Sequence, residues 1–245
     1  MTERTLRLAV IGDPVLHSAS PALHNRFLAE ARRSGTYEAI VVAAGMGARA
    51  IDDLRAQGYA GLNVTTPLKE EAFARAETRD ASALASGSVN TLVLGERIQG
   101  TNTDGIGALG AFRDAGLLDL AGTRLLILGA GPTARAAAAA FVAAGAAVYI
   151  WNRTPARAEA VARALDAHVF EAGIHFDAVF SAMPPGATPT DDRVRTIVLD
   201  APLVIDANYG ERSTLAASLG RPITDGTTML EHSARASFEA FCAAN

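Results

Sequence analysis

The run Leu125-Leu126-Ile127-Leu128 passes directly into Gly129-Ala130-Gly131-Pro132-Thr133-Ala134 and then into an alanine-rich stretch. Four consecutive branched apolar residues suit a strand buried on both faces, and the glycines allow a tight turn ahead of a helix. Strand, glycine turn and helix in that order restrict the chain to an α/β fold built on a parallel sheet.

The rest of the chain keeps the same rhythm. Residues 6–11, 37–42 and 60–64 read as strands, with helices over 21–33 and 46–57 between them. Ser20 before Pro21 reads as a helix start, the serine as cap and the proline in the first turn. Residues 89–94 and 98–100 form an expected hairpin across Gly95-Glu96. A second series follows, with strands at 125–128, 147–151, 178–181 and 203–206, helices at 133–144 and 155–165, and a loop over 183–192. A helix from about 228 to 243 closes the chain. The two series predict two α/β domains, one over 1–104 completed by 226–245 and a Rossmann-type one over 105–225, with the C-terminal helix packing back on the first.

Composition excludes several classes of function. A chain of 245 residues, 49% hydrophobic, can bury a real core, and a net charge of −4 with no basic run disfavours nucleic acid and membrane surfaces as partners. The one cysteine, Cys242, can form neither an internal disulfide nor a cysteine zinc site and is expected as a small buried apolar residue. The five histidines have no metal-ligand spacing, and no metal is expected. Residues 1–4 lead into the first strand without an apolar leader, and the longest uncharged apolar stretch, 136–151, is shorter than the ~20 residues that span a bilayer. A cytoplasmic protein is expected.

Gly129 to Ala134 fits G-x-G-x-x-A in the context that gives the pattern meaning, because glycine lets a pyrophosphate approach the backbone at a helix N-terminus. About 20 residues further on, a site for NAD offers a carboxylate to the ribose hydroxyls. Here the segment is Trp151-Asn152-Arg153-Thr154, with Arg157 close behind. Two guanidiniums and a hydroxyl suit a 2′-phosphate, which points to NADP.

Lys69 lies just past a strand end and Asp104 after another. A dehydrogenase needs a group that gives a proton to the carbonyl oxygen as hydride arrives, and a protonated lysine steadied by a carboxylate can do this. The uncharged polar residues Asn63, Thr65, Asn90, Thr101 and Asn102 nearby in sequence suit a substrate with several hydroxyls.

These segments, taken together, resemble the shikimate dehydrogenase family. Gly12-Asp13-Pro14 with residues 17–25 (HSASPALHN) is similar to its G-x-P…H-S-x-S-P-x-x-H-N signature, and residues 61–69 (GLNVTTPLK) to its G-x-N-V-T-x-P-x-K. Ser88-Val89-Asn90-Thr91, Gly100-Thr101-Asn102-Thr103-Asp104-Gly105, Asn152-Arg153-Thr154, Asp206-Ala207-Asn208-Tyr209 and Gly226-Thr227-Thr228-Met229-Leu230 resemble further family motifs in the family's order. The resemblance implies reversible, NADP-dependent interconversion of 3-dehydroshikimate and shikimate, a step of chorismate and aromatic amino acid biosynthesis, by a monomer or homodimer. It implies a substrate domain at the N-terminus and an NADP domain after it. By the same resemblance Lys69 exchanges the proton with Asp104 assisting, Ser18 and Ser20 hold the substrate carboxylate with Tyr209 near it, and Asn63, Thr65, Asn90 and Asp104 bind ring hydroxyls. Gly129, Ala130, Gly131, Pro132, Thr133, Asn152, Arg153, Thr154, Arg157 and Met229 would hold the cofactor.

Ser233 stands where the family usually has a glutamine that bonds the substrate, and its shorter side chain leaves that bond lost or made through water. His232, its neighbour, points in another direction on the helix and is expected to be structural. Two alternatives therefore accompany the leading reading. One is a paralogue acting on quinate or an amino-substituted analogue; the other is a nucleotide-binding regulator without turnover, against which the retained Lys69 and Asp104 argue.

Overall fold

The computed structural model describes residues 5–244, so the expectation for residues 1–4 lies outside the described residues. The chain divides into two compact units, one of Met1–Thr103 with Ser233–Asn245 and one of Asp104–His232.

In the first unit the strands are β1 (Leu6–Gly12), β2 (Gly35–Val41), β3 (Gly61–Val64), β4 (Thr78–Arg79), β5 (Thr91–Leu94) and β6 (Ile98–Thr101). Its helices are α1 (Ser20–Glu30), α2 (Gly47–Ala56), α3 (Lys69–Arg75) and α4 (Ala81–Ser86). The sheet order is β2-β1-β3-β5-β6-β4. The alternation of a pleated strand decides which face each side chain serves. Leu6, Leu8 and Val10 of β1 pack with Phe27 and Leu28 of α1 and with Phe238 and Phe241, while Ala9 and Ile11 face Ile51 and Leu54 of α2.

The connectivity also gathers the loops. β1 and β3 run parallel and end at the same edge; β5, antiparallel to β3, begins there, and β6, antiparallel to β5, ends there. Residues 13–19, 65–68, 88–90 and 102–103 therefore meet at one edge of the sheet.

The second unit holds α5 (Asp104–Asp114), β7 (Arg124–Leu128), α6 (Pro132–Ala143), β8 (Ala147–Trp151), α7 (Pro155–Leu165), β9 (His168–Val169), β10 (Ala178–Ser181), α8 (Asp192–Asp200), β11 (Leu203–Asp206) and α9 (Leu215–Leu219). The last helix, α10 (Thr227–Ala243), starts in this unit and ends in the first. The sheet is wholly parallel in the order β11-β10-β7-β8-β9. Strand order reverses between β7 and β10, the switch point at whose carboxyl ends doubly wound sheets bind ligands. Leu125 and Ile127 face one core with Phe112 and Phe141; Leu126 and Leu128 face the other with Phe176 and Val194.

Three expectations need correction. Ser20 is not a side-chain cap: α1 starts at Ser20 itself, Ala19 precedes it, and the Ser18 hydroxyl accepts the Ser20 N–H at 3.2 Å. A serine bonding the backbone two residues on is a local turn that competes with capping. The first helix stops at Glu30, because Arg32 turns left-handed at φ 54°. The short helices α3, α4, α8 and α9, of five to nine residues, carry too few turns for a periodic apolar signal. Cys242 is half-buried against the first unit's core. Among the described residues no helix is long and apolar enough to cross a membrane.

Candidate active site

At the gathered edge of the first unit, backbone bonds lock the loops before any side chain is considered. The Thr65 N–H donates to the Ile11 carbonyl at 2.9 Å and the Asp13 N–H to the Thr66 carbonyl at 3.0 Å. Lys69, the first residue of α3, is buried, and its carbonyl accepts the Val89 N–H at 2.9 Å. Ser18, on the loop after β1, is half-buried, and Ser20, the first residue of α1, is buried. The structure thus brings Ser18, Ser20, Asn63, Thr65, Lys69 and Asn90 to one edge.

A polar network behind this edge fixes the two asparagines. Asn63 Oδ1 accepts the Tyr37 hydroxyl at 2.7 Å, and Asn63 Nδ2 donates to the Asn90 carbonyl, Thr91 Oγ1 and Ser237 Oγ at 3.0–3.2 Å. Asn90 Oδ1 accepts the Thr103 backbone N–H at 2.9 Å, and Asn90 Nδ2 donates to Thr103 Oγ1 at 3.1 Å. A backbone N–H can only donate, so the amide orientation of Asn90 follows from the bonding. The Ser233 hydroxyl bonds Thr103 Oγ1 at 2.8 Å, and Ser237 Oγ donates to the Ser233 carbonyl one turn earlier at 2.8 Å.

Thr101 and Asn102, expected among the substrate-facing polar residues, serve the scaffold instead. Asn102 is 1% exposed and gives its amide to Ser88 Oγ and Ser86 Oγ, while Thr101 Oγ1 donates to the Asp80 carboxylate at the start of α4. A buried amide must be satisfied internally, and α4, which the sequence did not reveal, supplies the partners together with its flanking residues Asp80 and Ser88.

His24 and Asn25 of the HN pair act on Tyr37. Asn25 donates to and accepts from the Tyr37 backbone at 2.9 and 3.0 Å, and the His24 ring stacks on the Tyr37 ring at 4.2 Å. Both ring nitrogens of His24 lack a hydrogen-bond partner. Burial, helped by the Arg235 charge, lowers its pKa to about 3, so the ring is neutral at physiological pH.

In the second unit Gly129 adopts φ +118°, and a Cβ there would lie 3.0 Å from the Ala182 carbonyl oxygen, so glycine is required. Gly131 caps α6 in extended conformation with no side-chain bond, and nothing lies within 4 Å of where its Cβ would stand. Pro132 occupies the first turn of α6, and the Gly129 N–H donates to the Trp151 carbonyl at 2.8 Å. That bond sets the glycine turn beside the end of β8, where Asn152 Nδ2 and the Arg157 N–H both donate to the Thr154 carbonyl at 3.0 Å. Arg153 and Arg157 are exposed, and neither guanidinium has a partner among the described residues. An open helix N-terminus and two uncommitted guanidiniums fit the pyrophosphate and 2′-phosphate of NADP.

Asp104 opens α5 and is 7% exposed; its Oδ2 accepts the Thr133 hydroxyl at 2.9 Å. At the other end of α5, His232 Nε2 meets Asp114 Oδ2 at 2.9 Å, and a Cβ at Gly110 would lie 2.3 Å from the His232 ring. His232 is a strut against α5. Asp206, at the end of β11, is buried; burial pushes its carboxyl up, against the pull of bonds from Asn208 and Ser213. Asn208 also donates to the Met183 carbonyl at 2.9 Å and accepts the Gly226 N–H at 2.8 Å. These bonds hold the loop that carries half-buried Tyr209 against the start of α10, where Met229 lies in the core. Among the described residues no group of three His, Cys, Asp or Glu could hold a metal.

Sequence reasoning missed Tyr37, Thr91, Thr103 and Ser237. For Ser237 a signal existed: it follows Ser233 by four residues, one turn along α10.

Comparison with known proteins gives the family of the chain. Residues 10–92 match the shikimate dehydrogenase substrate binding domain, and residues 112–182 match shikimate / quinate 5-dehydrogenase. The chain is 36% identical over 250 residues to the shikimate dehydrogenase (NADP(+)) of Caulobacter vibrioides, covering 94% of this chain and 87% of that one. Its fold is similar to that of the shikimate 5-dehydrogenase of Thermus thermophilus in complex with NADP(H) and shikimate, with a TM-score of 0.84, 31% identity and 98% and 94% of the two chains covered. It is also similar to an Ael1 enzyme from Pseudomonas putida, with a TM-score of 0.86, 29% identity and 98% and 94% coverage. With its motifs, its two sheets and its whole-length similarity in accord, the chain belongs to the shikimate dehydrogenase family.

Proposed function

We propose that this chain is an oxidoreductase that reversibly reduces 3-dehydroshikimate to shikimate with NADP, in aromatic amino acid biosynthesis. The observation that carries the reading is the sheet edge of the first unit, where buried Lys69 shares the loops of Ser18, Ser20, Asn63, Thr65 and Asn90 in a family member.

The cofactor, when bound, exchanges a hydride with the substrate carbon. Lys69 gives the proton to the carbonyl oxygen in reduction and receives it in oxidation, with Asp104 assisting. Ser18 and Ser20 hold the carboxylate, with Tyr209 near it; the N-terminus of α1 also favours an anion there. Asn63, Thr65 and Asn90 bond the ring hydroxyls, the two asparagines held in orientation by their network. Gly129 to Thr133 cradle the pyrophosphate at α6, while Arg153, Thr154 and Arg157 take the 2′-phosphate, Asn152 shapes their loop and Met229 completes the cofactor side. The substrate is thus a cyclic polyhydroxy carboxylate. The substrate domain is placed over residues 1–104 with 226–245 and the NADP domain over 105–225; the compact units differ in grouping Asp104 and residues 226–232 with the second. The protein works in the cytoplasm, where a chain with a single cysteine needs no oxidising environment, as a monomer or homodimer.

A second reading rests on Ser233. Its hydroxyl is bonded to Thr103 rather than extended as a long amide would be, which supports a related ring acid such as quinate or an amino-substituted analogue as substrate. Lys69→Ala tests the mechanism common to both readings. It should lower turnover by ~10²-fold or more while NADPH still binds; near-native turnover would remove Lys69 from the proton step.

A further inference from the structure

Thr133 belongs to the first turn of α6, the turn a pyrophosphate would approach, and its side chain is engaged by α5. Its hydroxyl donates to Asp104 Oδ2 at 2.9 Å. The two residues are 29 apart in sequence and open two different helices, α5 and α6. The helices meet closely just behind this bond: a Cβ at Gly105 would lie 2.7 Å from the Ala136 carbonyl oxygen and 2.9 Å from Ala140 Cβ. Asp104 is therefore held from behind by backbone packing and on one oxygen by a neutral donor.

We propose that Thr133 is a positioning residue that ties the cofactor turn to the Asp104 carboxylate, so that one side chain sets the geometry of both. The proposal rests on the reading of Asp104 as the group that assists Lys69. A threonine hydroxyl fixes the rotation of the carboxylate without adding or removing charge, and its own rotamer is stiff because it is β-branched. A mispositioned acid–base partner is felt in the chemical step, where small displacements are costly. A hydroxyl that merely stapled α5 to α6 would be felt in stability alone.

The experiment is a double-mutant cycle with the full chain, measuring shikimate oxidation by NADP. Thr133→Val keeps the shape and removes the donor; Thr133→Ser keeps the donor; Asp104→Ala removes the acceptor. We expect Thr133→Val to lower kcat by about 10-fold, the size of one charge-assisted hydrogen bond, with the KM for NADP changed less than about 3-fold. Thr133→Ser should restore kcat to within about 3-fold of the parent, and Thr133→Val should cost nothing further in the Asp104→Ala background. Native-like binding of NADPH by Thr133→Val, measured by fluorescence, guards against misfolding as the cause. A Thr133→Val enzyme with parental kcat and a lowered melting temperature overturns the proposal and leaves a structural staple, as does a loss confined to the KM for NADP. An Asp104→Ala enzyme with parental kcat overturns instead the role of Asp104 on which the proposal rests.

Discussion

The two polar regions of this molecule are built in opposite ways. In the first unit Asn63, Asn90, Thr91, Thr103, Ser233 and Ser237 bond mainly to one another and are almost all buried. In the second, the glycine turn is backbone with open space at Gly131, and Arg153 and Arg157 stand exposed without partners among the described residues. Under the proposed function the difference matches what each would recognise. A neutral hydroxyl offers a weak, directional bond, so its partners must be oriented beforehand, and a closed network does that. A phosphate carries charge felt over a longer range, and exposed guanidiniums suffice.

The contrast can be broken first at its charged side. Arg153→Ala should raise the KM for NADP by about 10–100-fold, the loss of a charge-assisted phosphate contact of about 1.5–3 kcal/mol, and leave that for NAD nearly unchanged. Equal losses for both cofactors would mean that Arg153 does not read the 2′-phosphate.

His24 sharpens the contrast from within, since it is a buried side chain of the first unit whose ring nitrogens are left unpaired. Its folded pKa, about 3, is below the ordinary value of 6.5. Below pH 6.5 the unfolded chain takes up a proton that the folded one refuses, so stability is full above that value and declines as pH falls towards 3. Between pH 7 and 4.5 the contribution is roughly 2–3 kcal/mol. Urea unfolding of His24→Phe should show a shallower loss over this range; parallel curves for the variant and the parent would contradict the assignment.

The smallest effect is expected at Ser237, which binds no substrate in this account. Ser237→Ala removes the contacts of this hydroxyl to Asn63, Thr91, Thr103 and the Ser233 carbonyl, and should raise the KM for shikimate by about 3–10-fold, or ~1 kcal/mol, with a smaller change in kcat. An unchanged KM would show that the asparagines keep their orientation without the hydroxyl.

How much of this was legible in the sequence follows the same division. The strand, glycine turn and helix from Arg124 to Ala143 are written in consecutive residues, as is the basic segment after β8, so local chemistry sufficed. The motif that carries Lys69 is local too, and the structure buries that residue at the gathered edge. The network was not: Ser237 meets Asn63 across 174 residues of chain and Ser233 meets Thr103 across 130, and no pattern in either segment announces its partner. Thr101 and Asn102 misled because polarity alone does not say which way a side chain turns. The answer lay in the short helix α4, too brief to show a period.

The measurement that bears most directly on the account is NADPH formation by the purified protein with shikimate, run beside quinate and with NAD in parallel. Turnover of shikimate with NADP is expected at a kcat/KM at least about 10-fold above that for quinate, the discrimination one buried hydrogen bond supplies. Preferred turnover of quinate, or none with shikimate while NADPH still binds, would contradict it and assign the polar edge of the first unit to another ring.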